Sequence, residues 1–148
     1  MKKIGLYFTF LALFWGLNSC VSQRSNKSHV AVDKEAVLTT GEWLLVSVRN
    51  DIQGNVKYPS PDRLPTLQVD KDGKYSGYDG CNNFHGNCTF SGDSIVFKSA
   101  ISTLKACLDE QLVDDLLRSA FEEITNYSVE GNQLILKKHS ESFIIYKR

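Results

Sequence analysis

The 148-residue chain lacks most of what marks enzymes and nucleic-acid-binding proteins. Its 17 Lys and Arg balance 17 Asp and Glu, so it has no basic surplus of the kind a nucleic-acid partner requires. No polybasic run is present to add attraction to a membrane surface. There is no Gly-x-Ser-x-Gly elbow, no His-Glu-x-x-His pair and no Walker loop. Gly77, Gly80 and Gly86 have the wrong spacing for a phosphate cradle and are expected instead at backbone turns with positive φ. These absences point away from catalysis and from a bound cofactor. One long apolar stretch exists, and it is too short to span a bilayer.

That stretch runs from Ile4 to Leu17 behind Lys2 and Lys3. As a helix it would rise only about 21 Å, against a hydrocarbon core of roughly 30 Å. A charged start, a short apolar region and then Leu17-Asn18-Ser19-Cys20 together read as a cleavable signal segment ending in a lipobox. Residues 1–19 are expected to be removed and Cys20 to be acylated. The expected address is the cell envelope, at the periplasmic face or the outer membrane, with the lipid on Cys20 as the membrane partner. Several acyl chains are needed for stable anchoring, since each buried methylene contributes only ~0.8 kcal/mol.

Without residues 1–19 the formal balance becomes 15 basic against 17 acidic residues, on a chain long enough for one domain with a real core. Residues 20–37 form the expected lipidated tether, because Val21 to about Ala36 is polar and poor in aromatics. The domain is expected over 38–148. Trp43–Val48 reads as a strand, and Thr66–Val69 and Lys74–Tyr78 flank the turn at Asp70–Gly73. Two further hairpins turn at Ser91–Asp93 and at Gly131–Asn132, and Ser142–Lys147 gives a last strand. Between the hairpins, Leu112, Leu116, Ala120 and Ile124, with Val113, Leu117 and Phe121, repeat at helical spacing. Asp109 is placed to cap this helix, with Glu110 in its first turn. Asp114, Asp115, Arg118, Glu122 and Glu123 are assigned to the solvent face. The fold class is therefore α+β: a single small domain with a curved, mainly antiparallel meander or open barrel, packed with one amphipathic helix.

With Cys20 acylated, Cys81, Cys88 and Cys107 leave an odd thiol in an oxidising compartment. Residue types alone allow three arrangements. Cys81 and Cys88 could bridge a short loop; Cys81, His85, Cys88 and Cys107 have the types of a tetrahedral zinc site; and a cysteine with His85 or His139 could be a nucleophile.

The segment Gly77–Gly86 (GYDGCNNFHG), the SGD hairpin, the segment Ser102–Cys107 (STLKAC) and the helix, in this order after Trp43-Leu44, resemble the META domain family, also called HslJ-like. The resemblance covers about residues 40–147. It implies a bacterial envelope lipoprotein carrying palmitate or a similar acyl group, tied to heat-shock or stress responses, with no catalytic residues, metal or cofactor. The family's two cysteine positions are Cys81 and Cys107, which implies that they pair as a disulfide. Cys88 stands where members commonly carry an aromatic or other apolar residue. Gly80, Asn82, Asn83, Gly86, Thr103 and Ala106 are implied to be structural, with Asn82 and Asn83 satisfying backbone around the staple. The family's likeness to a lipid-binding pilot lipoprotein implies an apolar groove. The expected function is thus a stress-related structural or protein-binding module, with an unidentified envelope protein as partner. A carrier or sensor of a hydrophobic ligand is the alternative, and a Cys/His metal or thiol-enzyme site a weaker one.

Overall fold

The computed structural model describes residues 33–107 and 113–148. The expected signal segment, Cys20 and most of the expected tether lie outside them, as do Asp109, Glu110 and Leu112. Among the described residues no helix is long and apolar enough to cross a membrane.

The described chain opens with helix α1 (Lys34–Leu38), capped by Asp33, whose carboxylate accepts from the backbone N–H of Glu35 at 3.1 Å and of Ala36 at 3.2 Å. Residues 34–37, expected to be part of a tether, are helical instead. Their polar composition concealed an anchor: Leu38 is fully buried, and its carbonyl accepts from the Trp43 indole at 3.0 Å.

Ten strands follow: β1 (Glu42–Asn50), β2 (Asn55–Lys57), β3 (Thr66–Val69), β4 (Lys74–Tyr78), β5 (Asn83–Ser91), β6 (Ser94–Phe97), β7 (Ile101–Ser102), β8 (Asn126–Glu130), β9 (Gln133–Lys138) and β10 (Glu141–Lys147). Helix α2 (Asp114–Glu123) lies between β7 and β8. All pairings are antiparallel, and the order β1-β3-β4-β5-β6-β8-β9-β10 closes through β10 on β1. This is an eight-stranded barrel with β2 and β7 attached outside the ring. The strands expected at Trp43–Val48, Thr66–Val69, Lys74–Tyr78 and Ser142–Lys147, and the expected hairpin turns, match the observed ones, and the short β2 and β7 are additions to them. His85 sits on β5.

Eight strands enclose an interior that side chains can fill, and here they do. Trp43, Leu45, Leu67, Ile95, Tyr127, Leu134, Leu136, Ile144 and Tyr146 are all at most 1% exposed. In β3 and β6 the buried residues alternate with more exposed ones, the period-two signature of a strand with one buried face, whereas β9 and β10 also bury Ile135 and Phe143 beside them. In β1 a register shift between Leu45 and Ser47 buries the consecutive residues Ser47 and Val48, as a bulge does by turning a strand.

The ring is weakest between β6 and β8, which meet at the single pair Ser94 and Asn126. Beyond that pair the strands part, and α2 covers the opening with Leu117, Ala120, Phe121 and the following Ile124, all buried. Arg118, Glu122 and Glu123 face solvent as expected. Asp114 does not: it is 7% exposed, in the first helical turn.

The barrel has two distinct poles. One holds α1, the turn at Gly92–Asp93, Asn132 and the C-terminal Arg148: Glu35 accepts from the Gly92 N–H at 3.1 Å, Lys34 pairs with Asp93, and Arg148 donates to the Thr40 carbonyl at 2.6 Å. The opposite pole holds the β1–β2 turn, the 79–82 loop, α2 and the β9–β10 turn, linked by Arg49 to Glu141 at 2.7 Å, Lys138 to Asp51 at 3.0 Å and Lys138 to Glu123.

Candidate functional site

The two motif segments meet at the second pole. Between β4 and β5 the chain turns through Asp79-Gly80-Cys81-Asn82, with Gly80 at a φ of 104° that favours glycine. Asp79, 4% exposed, organises this turn: one carboxylate oxygen accepts from the N–H of Cys81 at 2.8 Å and of Asn82 at 2.6 Å, and its own N–H donates to the Asn82 carbonyl at 3.0 Å. An Asp that ties down the backbone two residues ahead is a common way of fixing a turn. The other carboxylate oxygen faces the Arg118 guanidinium of α2 at 3.8 Å.

Asn82 then fastens the second segment. Its carboxamide oxygen accepts from the Thr103 hydroxyl and from the Lys105 N–H, both at 2.8 Å, and its amide donates to the Lys105 carbonyl at 3.4 Å. The side chain thus pairs with Lys105 as a neighbouring strand would, which asparagine can do because it both donates and accepts. Asn83 is exposed and contributes backbone: its carbonyl accepts from the Thr103 N–H at 3.0 Å, and its N–H donates to the Thr103 hydroxyl at 3.2 Å. Cys81 is bonded to Cys107, with Cα atoms 6.0 Å apart. Residues 98–107 therefore form a strap whose second half, Thr103 to Cys107, is bolted to the 79–83 turn, while Lys98, Ile101 and Ser102 pair with β5. Ala106 is exposed on it.

The other cysteine arrangements are not formed. Cys88 is a buried free thiol facing the barrel interior, whereas His85 points outward from the same strand. Cys81 and Cys107 are consumed in their bond, and among the described residues no three His, Cys, Asp or Glu side chains converge as metal ligands. Burial pushes the Cys88 thiol up to about 11, opposite to what a nucleophile needs. His139 lies at the β9–β10 turn, far along the chain from any thiol and exposed, with a φ of 57°.

The expected positive φ holds for Gly80 but not for Gly77 and Gly86, which lie in strands. They are needed for space: a β-carbon at Gly77 would stand 2.1 Å from the Thr66 carbonyl oxygen and 2.6 Å from the Phe84 ring, and one at Gly86 2.7 Å from the Tyr75 ring. The bare backbone lets both rings lie flat across β4 and β5, a pairing that offsets the strand-weakening effect of glycine.

Those rings make the floor of a cleft. Tyr75, Phe84, Phe97 and Phe121 form one aromatic cluster, with centroid separations from 4.8 to 6.1 Å. Such spacings are those of favourable tilted and edge contacts. The cleft above them, between the strap and α2, has a volume of about 280 Å³. Asp79, Arg118, Lys98 and Glu122 border it, and so does Leu104, which is 94% exposed. Asp79 and Arg118 were not singled out from the sequence. The Asp-Gly pair two residues before Cys81 was the available sign for Asp79; nothing marked Arg118.

Fold and site together define a small antiparallel β-barrel with a helix over one mouth, whose two motif segments are stapled beside an aromatic cleft. The META domain matches residues 36–148, and the chain belongs to the META domain family. Its fold is similar to that of a protein from Burkholderia xenovorans solved by NMR, with 20% identity, a TM-score of 0.64, and coverage of 77% of this chain and 85% of the other. A second NMR structure has 23% identity and a TM-score of 0.58, covering 76% and 92% of the two chains. A crystal structure of a DUF4847 family protein from Bacteroides vulgatus has 14% identity and a TM-score of 0.56, covering 76% and 95%. No curated protein matches the chain.

Proposed function

We propose that this META-domain protein is a lipid-anchored, non-catalytic module of the bacterial envelope, which binds a protein partner through the cleft pole in a stress-related role. The observation that carries the reading is the contrast between the two candidate cavities. A barrel that carried a lipid would keep its interior open, and this interior is filled by Trp43, Tyr127 and Tyr146 with their aliphatic neighbours. The concavity floored by the aromatic cluster is the cleft between strap and helix. Its volume of about 280 Å³ is at the small end of what ligand sites use, roughly 300–1,000 Å³, and it lies open between exposed Leu104 and the charged Lys98, Arg118 and Glu122. An open, charge-rimmed cleft beside a filled barrel suits a contact surface better than a carrier.

Two further features support the reading. The described domain begins at Asp33 and α1, at the pole opposite the cleft. The thiols are also wrong for chemistry, since two are bonded to each other and the third is buried and protonated.

Metabolic labelling with radioactive palmitate in a bacterial host tests the anchor. The full chain should take up label and fractionate with membranes, and Cys20→Ala should do neither. An equally labelled Cys20→Ala protein would reject acylation at this position.

A further inference from the structure

We infer that the cleft is the receptor for one aromatic side chain, presented on an extended polypeptide segment of the partner. This rests on the protein-binding reading above and names the chemistry of the partner's contact.

Three observations converge on this occupant. The floor is built of Tyr75, Phe84, Phe97 and Phe121, rings that a further ring can meet edge to face, and buried aromatic anchors carry much of the energy of protein interfaces. The space of about 280 Å³ is of the size of one large side chain with part of its backbone, at the small end of the range of roughly 300–1,000 Å³ that ligand sites use. The rim carries both signs, with Lys98 and Arg118 set against Asp79 and Glu122. A mixed rim complements the alternating N–H donors and carbonyl acceptors of a peptide, and it disfavours a headgroup of one sign.

The flank fits the same occupant. Leu104 is 94% and Ile101 67% exposed on the strap, which is fastened through Cys107, Asn82 and Asn83. Apolar side chains held rigidly in water beside a cleft are what the water-excluding border of an anchor pocket requires. Preorganisation by the staple means that little strap entropy is lost on binding.

The test is selection of a random heptapeptide library, displayed on phage, against the full chain in lipid nanodiscs, followed by fluorescence anisotropy with the enriched peptides. Enriched peptides should share an aromatic residue, and changing that residue to Ala should weaken binding at least tenfold. Ala100→Trp, which fills the cleft from its exposed rim without disturbing the core, should weaken binding at least tenfold. Val96→Trp, on an exposed position of β6 that does not border the cleft, should leave it within twofold. No enrichment over empty nanodiscs, enriched peptides without an aromatic residue, or binding indifferent to Ala100→Trp would each overturn the inference. If it falls while a photo-cross-linker at Leu104 still captures an envelope protein in a manner blocked by Ala100→Trp, the protein-binding reading survives; if both fail, both are wrong.

Discussion

Tyr75 and Gly86 stand opposite one another across β4 and β5, and the Tyr75 ring occupies the place where a β-carbon on residue 86 would lie, 2.7 Å from it. The ring is pinned further by its hydroxyl, which donates to the Lys98 carbonyl at 2.7 Å. A methyl group at 86 must displace a ring that cannot swing away, so Gly86→Ala should cost about 1–3 kcal/mol, the usual range for overpacking. The midpoint of urea denaturation should fall with the m-value unchanged. A neutral result would mean that the ring has room to move.

The strap is held at Asn82 and at Cys107 together. Asn82→Ala leaves the part-buried Lys105 N–H and Thr103 hydroxyl without their shared acceptor, at a cost of about 1–3 kcal/mol. Removing the disulfide, which spans a sequence separation of 26, should cost up to about 3.5 kcal/mol on the chain-entropy account. Because both fasten one strap, the combined variant should lose less than the sum of the two, by 0.5 kcal/mol or more in a double-mutant cycle. Strict additivity would show that they act on separate elements.

Alkaline pH should destabilise the fold in a defined window. Burial pushes the Cys88 thiol up to about 11, and it pushes the Tyr75 and Tyr127 phenols up to about 12. Each group keeps its proton longer when folded, so above the unfolded-state values the unfolded chain binds fewer protons and stability falls as pH rises. The loss should begin near the unfolded thiol value of about 8.5, steepen past about 10 with the phenols, and be complete only above the folded values. Urea midpoints should be flat from pH 6 to 8 and decline from 9 onward, and Cys88→Ala should remove the first part of that decline.

Arg148 closes the opposite pole. Its guanidinium lies 4.6 Å from the centre of the Trp43 ring and donates to the carbonyls of Thr40 at 2.6 Å and Val37 at 3.4 Å. Arg148→Ala should cost about 1–2 kcal/mol, from a cation–π contact and a charge-assisted hydrogen bond. Hydrogen exchange should quicken in residues 34–40 and stay unchanged in α2.

Much of the barrel is legible in the chain, because its strands are rich in β-branched and aromatic residues and its turns carry glycine at positive φ, as at Gly73, Gly92 and Gly131. What escapes is tertiary. Leu38 closes a polar stretch, and a single leucine cannot announce that α1 docks. Asp114 lies among acidic neighbours, and its burial follows from where the helix meets the barrel rather than from its own type. β2 and β7 are too short to show a period. At the site, residue types show that Cys81, Asn82, Thr103 and Cys107 could interact, but spacing alone cannot choose among three thiols. The cleft is less visible still, since its floor joins one ring from each of β4, β5, β6 and α2, and nothing local links them.

The central claim is that the cleft pole binds a protein while the chain is anchored. It is tested most directly by photo-cross-linking in intact cells, with a benzophenone side chain placed at Leu104 of the full-length protein. The account predicts a discrete protein adduct that disappears in an Ala100→Trp background and is absent when the benzophenone is moved to Val96. An adduct that forms equally from Val96, or that persists when the cleft is filled, would contradict it.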